Sequence, residues 1–82
     1  MTREEVLKKL NELFIDEFDD DDICIDESMT AEDIEDWDSL ANMNLIVAIE
    51  HTFQIKFNIN EVSDWKNVGD MLSVILEKLE NE

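Results

Sequence analysis

The chain has 82 residues, with 23 Asp+Glu against 6 Lys+Arg and a formal charge of −17. That length holds one small domain with a single core, and that charge repels phosphate backbones and anionic membranes, which excludes direct nucleic-acid binding. No proline and one glycine, Gly69, argue for helices rather than a turn-rich sheet.

Residues 3 to 18 place Val6, Leu7, Leu10, Leu13, Phe14 and Phe18 at spacings of three and four, with charges between them. Thr2 precedes Glu5 at capping-box spacing. The first helix therefore spans residues 3 to 18.

Residues 19 to 38 carry 11 acids and no basic residue. Ile23, Ile25, Met29, Ile34 and Trp37 interrupt them, whereas a disordered linker lacks such anchors. An ordered connection follows, with a short helical turn from Thr30 to Glu35. Cys24, alone and between two isoleucines, reads as a small buried hydrophobe, and it implies no oxidising compartment. The Asp19 to Asp22 run does not fit an EF-hand loop. Counted from Asp20, the required glycine and glutamate positions hold Ile25 and Ala31. No metal site is expected. So many like charges raise the self-energy of the folded state, so added salt or Mg²⁺ is expected to raise the melting temperature.

A second helix runs from about Ser39 to Phe53. Asn42, Leu45, Ile46, Ile49 and Phe53 trace one face, apolar after the first. Leu40, Met43 and Val47 trace another. A domain this small does not bury both, so the second stripe is a candidate docking surface. Gln54 to Phe57 alternates like a strand but has nothing to pair with, and reads as an extended connection. A short third helix is expected near residues 60 to 64, capped by Asn58 or Asn60. The last begins near Asn67 and aligns Val68, Met71, Leu72, Ile75 and Leu79. The fold class is all-α, a small four-helix bundle with a long first loop and a short third helix, in one domain over 1–82. No apolar run approaches a membrane span and no signal peptide is evident, so a soluble, cytoplasmic monomer is expected.

Asp38-Ser39-Leu40 stands at the start of the second helix. On its own, Ser39 or Asp38 there reads as an N-cap. The only histidine, His51, lies roughly 18 Å along the helix, at about 1.5 Å per residue, too far to activate the Ser39 hydroxyl. No nucleophile–base pair or glycine-rich phosphate loop is present, so the chain is not expected to be an enzyme. A helix N-terminus would favour a negative group placed on Ser39.

Trp37-Asp38-Ser39-Leu40, followed by Leu45 to Glu50, Phe53 to Phe57, Glu61-Val62 and Val68-Gly69-Asp70 in ungapped register, resembles the acyl carrier protein family. The resemblance is strong from Trp37 to Ile75 and weak over residues 1 to 36. It implies that Ser39, flanked by Asp38 and Leu40, receives 4′-phosphopantetheine from coenzyme A, through a separate phosphopantetheinyl transferase. An acyl group is then carried as a thioester on that arm. Partners would be acyl-loading and acyl-transfer enzymes with basic patches. They would meet Leu40, Met43, Val47 and Glu50, together with Glu35, Asp36 and Trp37. The acyl chain would shelter among Leu45, Ile46, Ile49, Val62, Trp65, Val68 and Met71, residues that also make the core.

The family pattern is broken in places. Fatty-acid carriers commonly bear acids where Ala41 and Asn44 stand here, and Gly-Ala where Asp36-Trp37 stands. The acidic charge has moved into the preceding loop, at Glu32, Asp33, Glu35 and Asp36. These departures imply a carrier for a dedicated biosynthetic pathway. Trp65, bulkier than the aliphatic residue common in the family, implies a shorter or different cargo. The alternatives are an aminoacyl carrier of peptidyl or D-alanyl type, and an unmodified acidic helical interaction module.

Overall fold

The computed structural model describes residues 2–34, 37–63 and 65–80. In chain order it contains α1 (Arg3–Phe18), a 3₁₀ turn (Ala31–Asp33), α2 (Ser39–Phe53), α3 (Ile59–Ser63) and α4 (Val68–Glu80). Among the described residues there is no strand, and no helix is long and apolar enough to cross a membrane. Helix α1 packs on both α2 and α4.

Local chemistry explains the helix ends. Thr2 Oγ1 accepts from Glu5 N–H at 3.2 Å and Glu5 Oε1 accepts from Thr2 N–H at 3.0 Å, the expected capping box. Helix α2 is capped by Asp38, and α3 starts one residue earlier than expected. Asn58 accounts for that shift: its Oδ1 accepts from Glu61 N–H, and Glu61 Oε1 accepts from Asn58 N–H, both at 2.9 Å. Asn67 Oδ1 accepts from Asp70 N–H at 2.8 Å at the head of α4. Helices α1 and α2 end on left-handed residues, Asp19 and Gln54, without a glycine.

The core joins one face of each long helix. Val6, Leu10 and Phe14 from α1 meet Leu45, Ile49 and Phe53 from α2 and Val68, Met71, Leu72 and Ile75 from α4. Ile25, Ile34 and Ile55 from the connections complete it. The long loop is thus part of the bundle, as its apolar anchors require. Burial of such side chains is worth about 1.5–3 kcal/mol each, which offsets part of the cost of ordering the loop.

Three devices hold that loop. Asn11 on α1 accepts from Ile25 N–H through Oδ1 at 2.7 Å and donates from Nδ2 to the Ile23 carbonyl at 3.4 Å. Arg3 pairs with Glu27 and also donates to Ser73 Oγ at 3.2 Å. The carbonyls of Glu27 and Met29 then accept from the N–H groups of Gly69 and Val68, at 2.8 and 2.9 Å. Loop carbonyls therefore satisfy backbone donors at the start of α4, where no intrahelical acceptor exists. Gly69 serves this close approach: a Cβ there would stand 3.0 Å from the Glu27 carbonyl oxygen.

Cys24 departs from expectation. It is exposed, while Ile23 is half-buried and Ile25 buried. In an extended segment successive side chains face opposite ways, so anchoring both isoleucines turns the residue between them outward.

Candidate functional site

The chemistry centres on the junction between the acidic loop and α2. Asp38 is the N-cap of α2, with Oδ1 accepting from Ala41 N–H at 2.8 Å and its carbonyl accepting from Asn42 N–H at 2.9 Å. Because Asp38 takes the capping role, the Ser39 hydroxyl is left out of it. Ser39 is exposed and makes no side-chain hydrogen bond among the described residues. The helix presents its first, unpaired N–H groups at this point, an environment favourable to anions.

Trp37 packs against α1 as its place among the apolar anchors of the loop requires, and it remains partly exposed. Its ring lies edge-on to Phe14, with centroids 5.1 Å apart at 88°, and also meets Phe18 at 6.5 Å. Its Nε1–H donates to Asn42 Oδ1 at 2.9 Å. The segment entering the Asp-Ser pair is thereby tied to the α1 core and to the first turn of α2.

An open cleft of about 430 Å³ begins at Ser39. Trp37, Asp38, Ser39 and Asn42 form one wall, and Val62, Trp65, Lys66, Asn67 and Met71 the other. Of the residues expected to shelter an acyl chain, Val62, Trp65 and Met71 line it. Leu45, Ile49 and Val68 are fully buried in the core instead, and Ile46 is half-buried. Asn42, Lys66 and Asn67 were not anticipated as lining. The one available signal was an asparagine on an otherwise apolar helix face.

Trp65 is held edge-on against Phe57, 5.1 Å between centroids at 86°. Lys78 Nζ lies 5.7 Å from the Phe57 centroid and pairs with Glu61 at 2.9 Å. The Asn58 N–H bond, and then Lys78, hold the Glu61 carboxyl below the usual carboxylate range.

On the opposite face of α2, Leu40, Met43 and Val47 form an exposed stripe, at 70%, 65% and 62% of full exposure. Glu50 does not sit free beside them. It is half-buried, and its Oε2 accepts from Phe57 N–H at 2.9 Å. Asn44 donates to Glu17 Oε2 at 3.5 Å, so α1 brings a carboxylate next to the stripe where α2 has none. Glu35 and Asp36 lie outside the described residues. His51 is exposed near the far end of α2.

The chain is similar in sequence and fold to known proteins. The acyl carrier protein of Petrotoga mobilis is 32% identical over 81 residues, spanning 96% of this chain and 93% of the relative. The solution structure of a holo acyl carrier protein from Geobacter metallireducens superposes with a TM-score of 0.88 at 42% identity, over 93% of this chain and 87% of that one. The crystal structure of an acyl carrier protein from Thermotoga maritima, at 24% identity, shares the fold with a TM-score of 0.84, over 96% of this chain and 92% of that one. No family model matches the chain. With an all-helical bundle, a long ordered first loop and sequence identity across nearly its whole length, the chain belongs to the acyl carrier protein family.

Proposed function

We propose that Ser39 is the attachment point of 4′-phosphopantetheine, and that the protein carries an acyl group as a thioester for enzymes of a dedicated pathway. The observation that carries this is the state of Ser39 in a chain of this family. Its hydroxyl is exposed on the first residue of α2 and spared the capping role by Asp38. A phosphodiester on that oxygen would face the unpaired N–H groups of the helix start, which fits the group to the site. When bound, the arm supplies a terminal thiol for the acyl group. Ser39 would hold the arm, and Asp38 would keep the first turn of the helix ordered beneath it. The one histidine is far along the helix, so a separate Mg²⁺-dependent transferase must activate the hydroxyl.

Leu40, Met43 and Val47 are the apolar centre of the surface that partner enzymes meet. Acidic groups around them steer basic patches toward it. The lack of acids at positions 41 and 44, with Glu17 supplying one from α1, supports partners other than those of a general fatty-acid synthase.

The test is intact mass after incubation with coenzyme A, Mg²⁺ and a broad-specificity phosphopantetheinyl transferase, with Ser39→Ala alongside. A gain of one phosphopantetheinyl group in the native chain only is expected. If several transferases leave the native chain unmodified, the protein is an acidic interaction module.

A further inference from the structure

Charge is unevenly spread along the face that carries the apolar stripe. Residues 19 to 38 hold 11 acids and no basic residue, whereas residues 39 to 60 hold one acid, Glu50, together with His51 and Lys56. The chain reversal after α2 brings those three side by side. Gln54 ends the helix in the left-handed region with its N–H donating to the Glu50 carbonyl, and Ile55 N–H donates to the same oxygen at 3.1 Å. Ile55 is buried, which turns Lys56 outward. Phe57 N–H then donates to Glu50 Oε2 and so engages the one carboxylate present. Lys56 and His51 are exposed and make no hydrogen bond or ion pair among the described residues. With Val47, Glu50, Gln54 and Ile55 they line an open groove of about 430 Å³. Val47 also ends the stripe of Leu40 and Met43, so the groove continues that stripe away from Ser39. Carboxylates bound the stripe at its Ser39 end, through Asp38, and on its α1 flank, through Glu17. The far end is bounded by an unpaired lysine.

We infer that the partner enzyme's docking patch is bipolar: basic where it meets Asp38 and Glu17, apolar over Leu40, Met43 and Val47, and bearing a carboxylate that pairs with Lys56 in the groove beside His51. This deepens the docking reading of the stripe and rests on it. A uniformly basic patch laid along α2 would press an ammonium against Lys56, and like charges across an interface are penalised. A bipolar patch laid the other way round would set its carboxylate against Asp38 and Glu17. One orientation along the helix satisfies both ends, so Lys56 fixes which way the partner lies relative to Ser39. The two poles stand roughly 18 Å apart along α2, at about 1.5 Å per residue. That exceeds the screening length of about 8 Å at physiological salt, so Lys56 acts as a local positive site despite the net charge. A second copy of the chain is a poor occupant, because two molecules of −17 repel each other.

The test uses the full chain and two synthetic amphipathic helical peptides with the same leucine face. One carries lysines at one end and glutamates at the other, and the second carries lysines at both ends. Affinities are read by NMR titration at physiological ionic strength. The net charge of the chain favours the all-basic peptide from the outset, so the decisive quantity is the change on Lys56→Glu, an exposed position that leaves the fold intact. This variant should bind the bipolar peptide about threefold more weakly and the all-basic peptide more tightly by a similar factor, the scale of one exposed ion pair. A nitroxide on the glutamate end should broaden the amide signals of His51 and Lys56, and one on the lysine end those of Asp38 and Leu40. Met43→Glu should weaken both peptides alike. Affinities unmoved by Lys56→Glu, or broadening near Ser39 from the glutamate end, would overturn the inference and leave the stripe as the docking face, provided Met43→Glu still weakens binding. If neither peptide binds, or Met43→Glu has no effect on either, the docking reading goes and the inference with it.

Discussion

The indole nitrogen of Trp37 donates to Asn42 Oδ1 across 2.9 Å, bridging the residue before Asp38-Ser39 to the first turn of α2. One hydrogen bond thus ties the end of the acidic loop to the helix that presents Ser39, while the same ring packs on Phe14.

Trp37→Phe keeps an aromatic ring beside Phe14 but removes the donor and part of the indole's packing. It should cost at least about 1 kcal/mol, the net value of one partly buried hydrogen bond. For a domain of this size, that is a fall in Tm of about 4–8 °C. Thermal denaturation followed by circular dichroism reads it directly. No change in Tm would mean that solvent replaces the bond at no cost.

Gly69→Ala sets two effects against each other. Alanine gains about 1 kcal/mol of helix propensity over glycine. The added Cβ meets the Glu27 carbonyl oxygen at 3.0 Å, and that same oxygen accepts the Gly69 N–H. The crowded atom is backbone held in a short hydrogen bond, so it yields only by disturbing the loop. Overpacking of this kind costs about 1–3 kcal/mol, and the variant should be less stable by about 1 kcal/mol in urea denaturation. A stabilised variant would show that the loop gives way freely.

Glu61→Gln isolates a charge, since glutamine still accepts from Asn58 N–H but no longer pairs with Lys78. The folded-state pKa of Glu61 is lowered, so the unfolded chain binds more protons in that range and stability rises with pH. The contribution is complete above the unfolded value of about 4.3 and disappears as pH falls through the folded one. The variant should therefore melt below the native protein at pH 7, with the gap closing under about pH 4. A gap independent of pH would assign the effect to packing rather than charge.

Met43→Glu places a carboxylate in the exposed stripe of α2. At 65% exposure the side chain contributes little to the core, so stability should stay within about 0.5 kcal/mol. Modification of Ser39 and acyl transfer by partner enzymes should both slow. Unchanged rates in both assays would remove this stripe from the docking surface.

Several features were legible in the residues alone because they are set by near neighbours. The apolar spacing of α1, α2 and α4 follows from helical periodicity, and the Thr2 end follows from a side chain three residues from its donor, whereas the choice of Asp38 over Ser39 as the cap of α2 came from the structure. The position of Ser39 at the start of α2, and the apolar stripe that one small core could not cover, belong to the same class. Tertiary structure decided what depends on distant segments meeting. Trp37 packs where it does because Phe14 and Phe18 of α1 receive it. Cys24 turns outward because Asn11 and the core fix Ile23 and Ile25 on either side. Asn42, Lys66 and Asn67 became cleft residues only when α2 and the α3–α4 connection came to face each other. Periodicity along one helix says which residues share a face. Which element covers that face, and which polar group is left without a partner there, is settled only when chain segments far apart in sequence pack together.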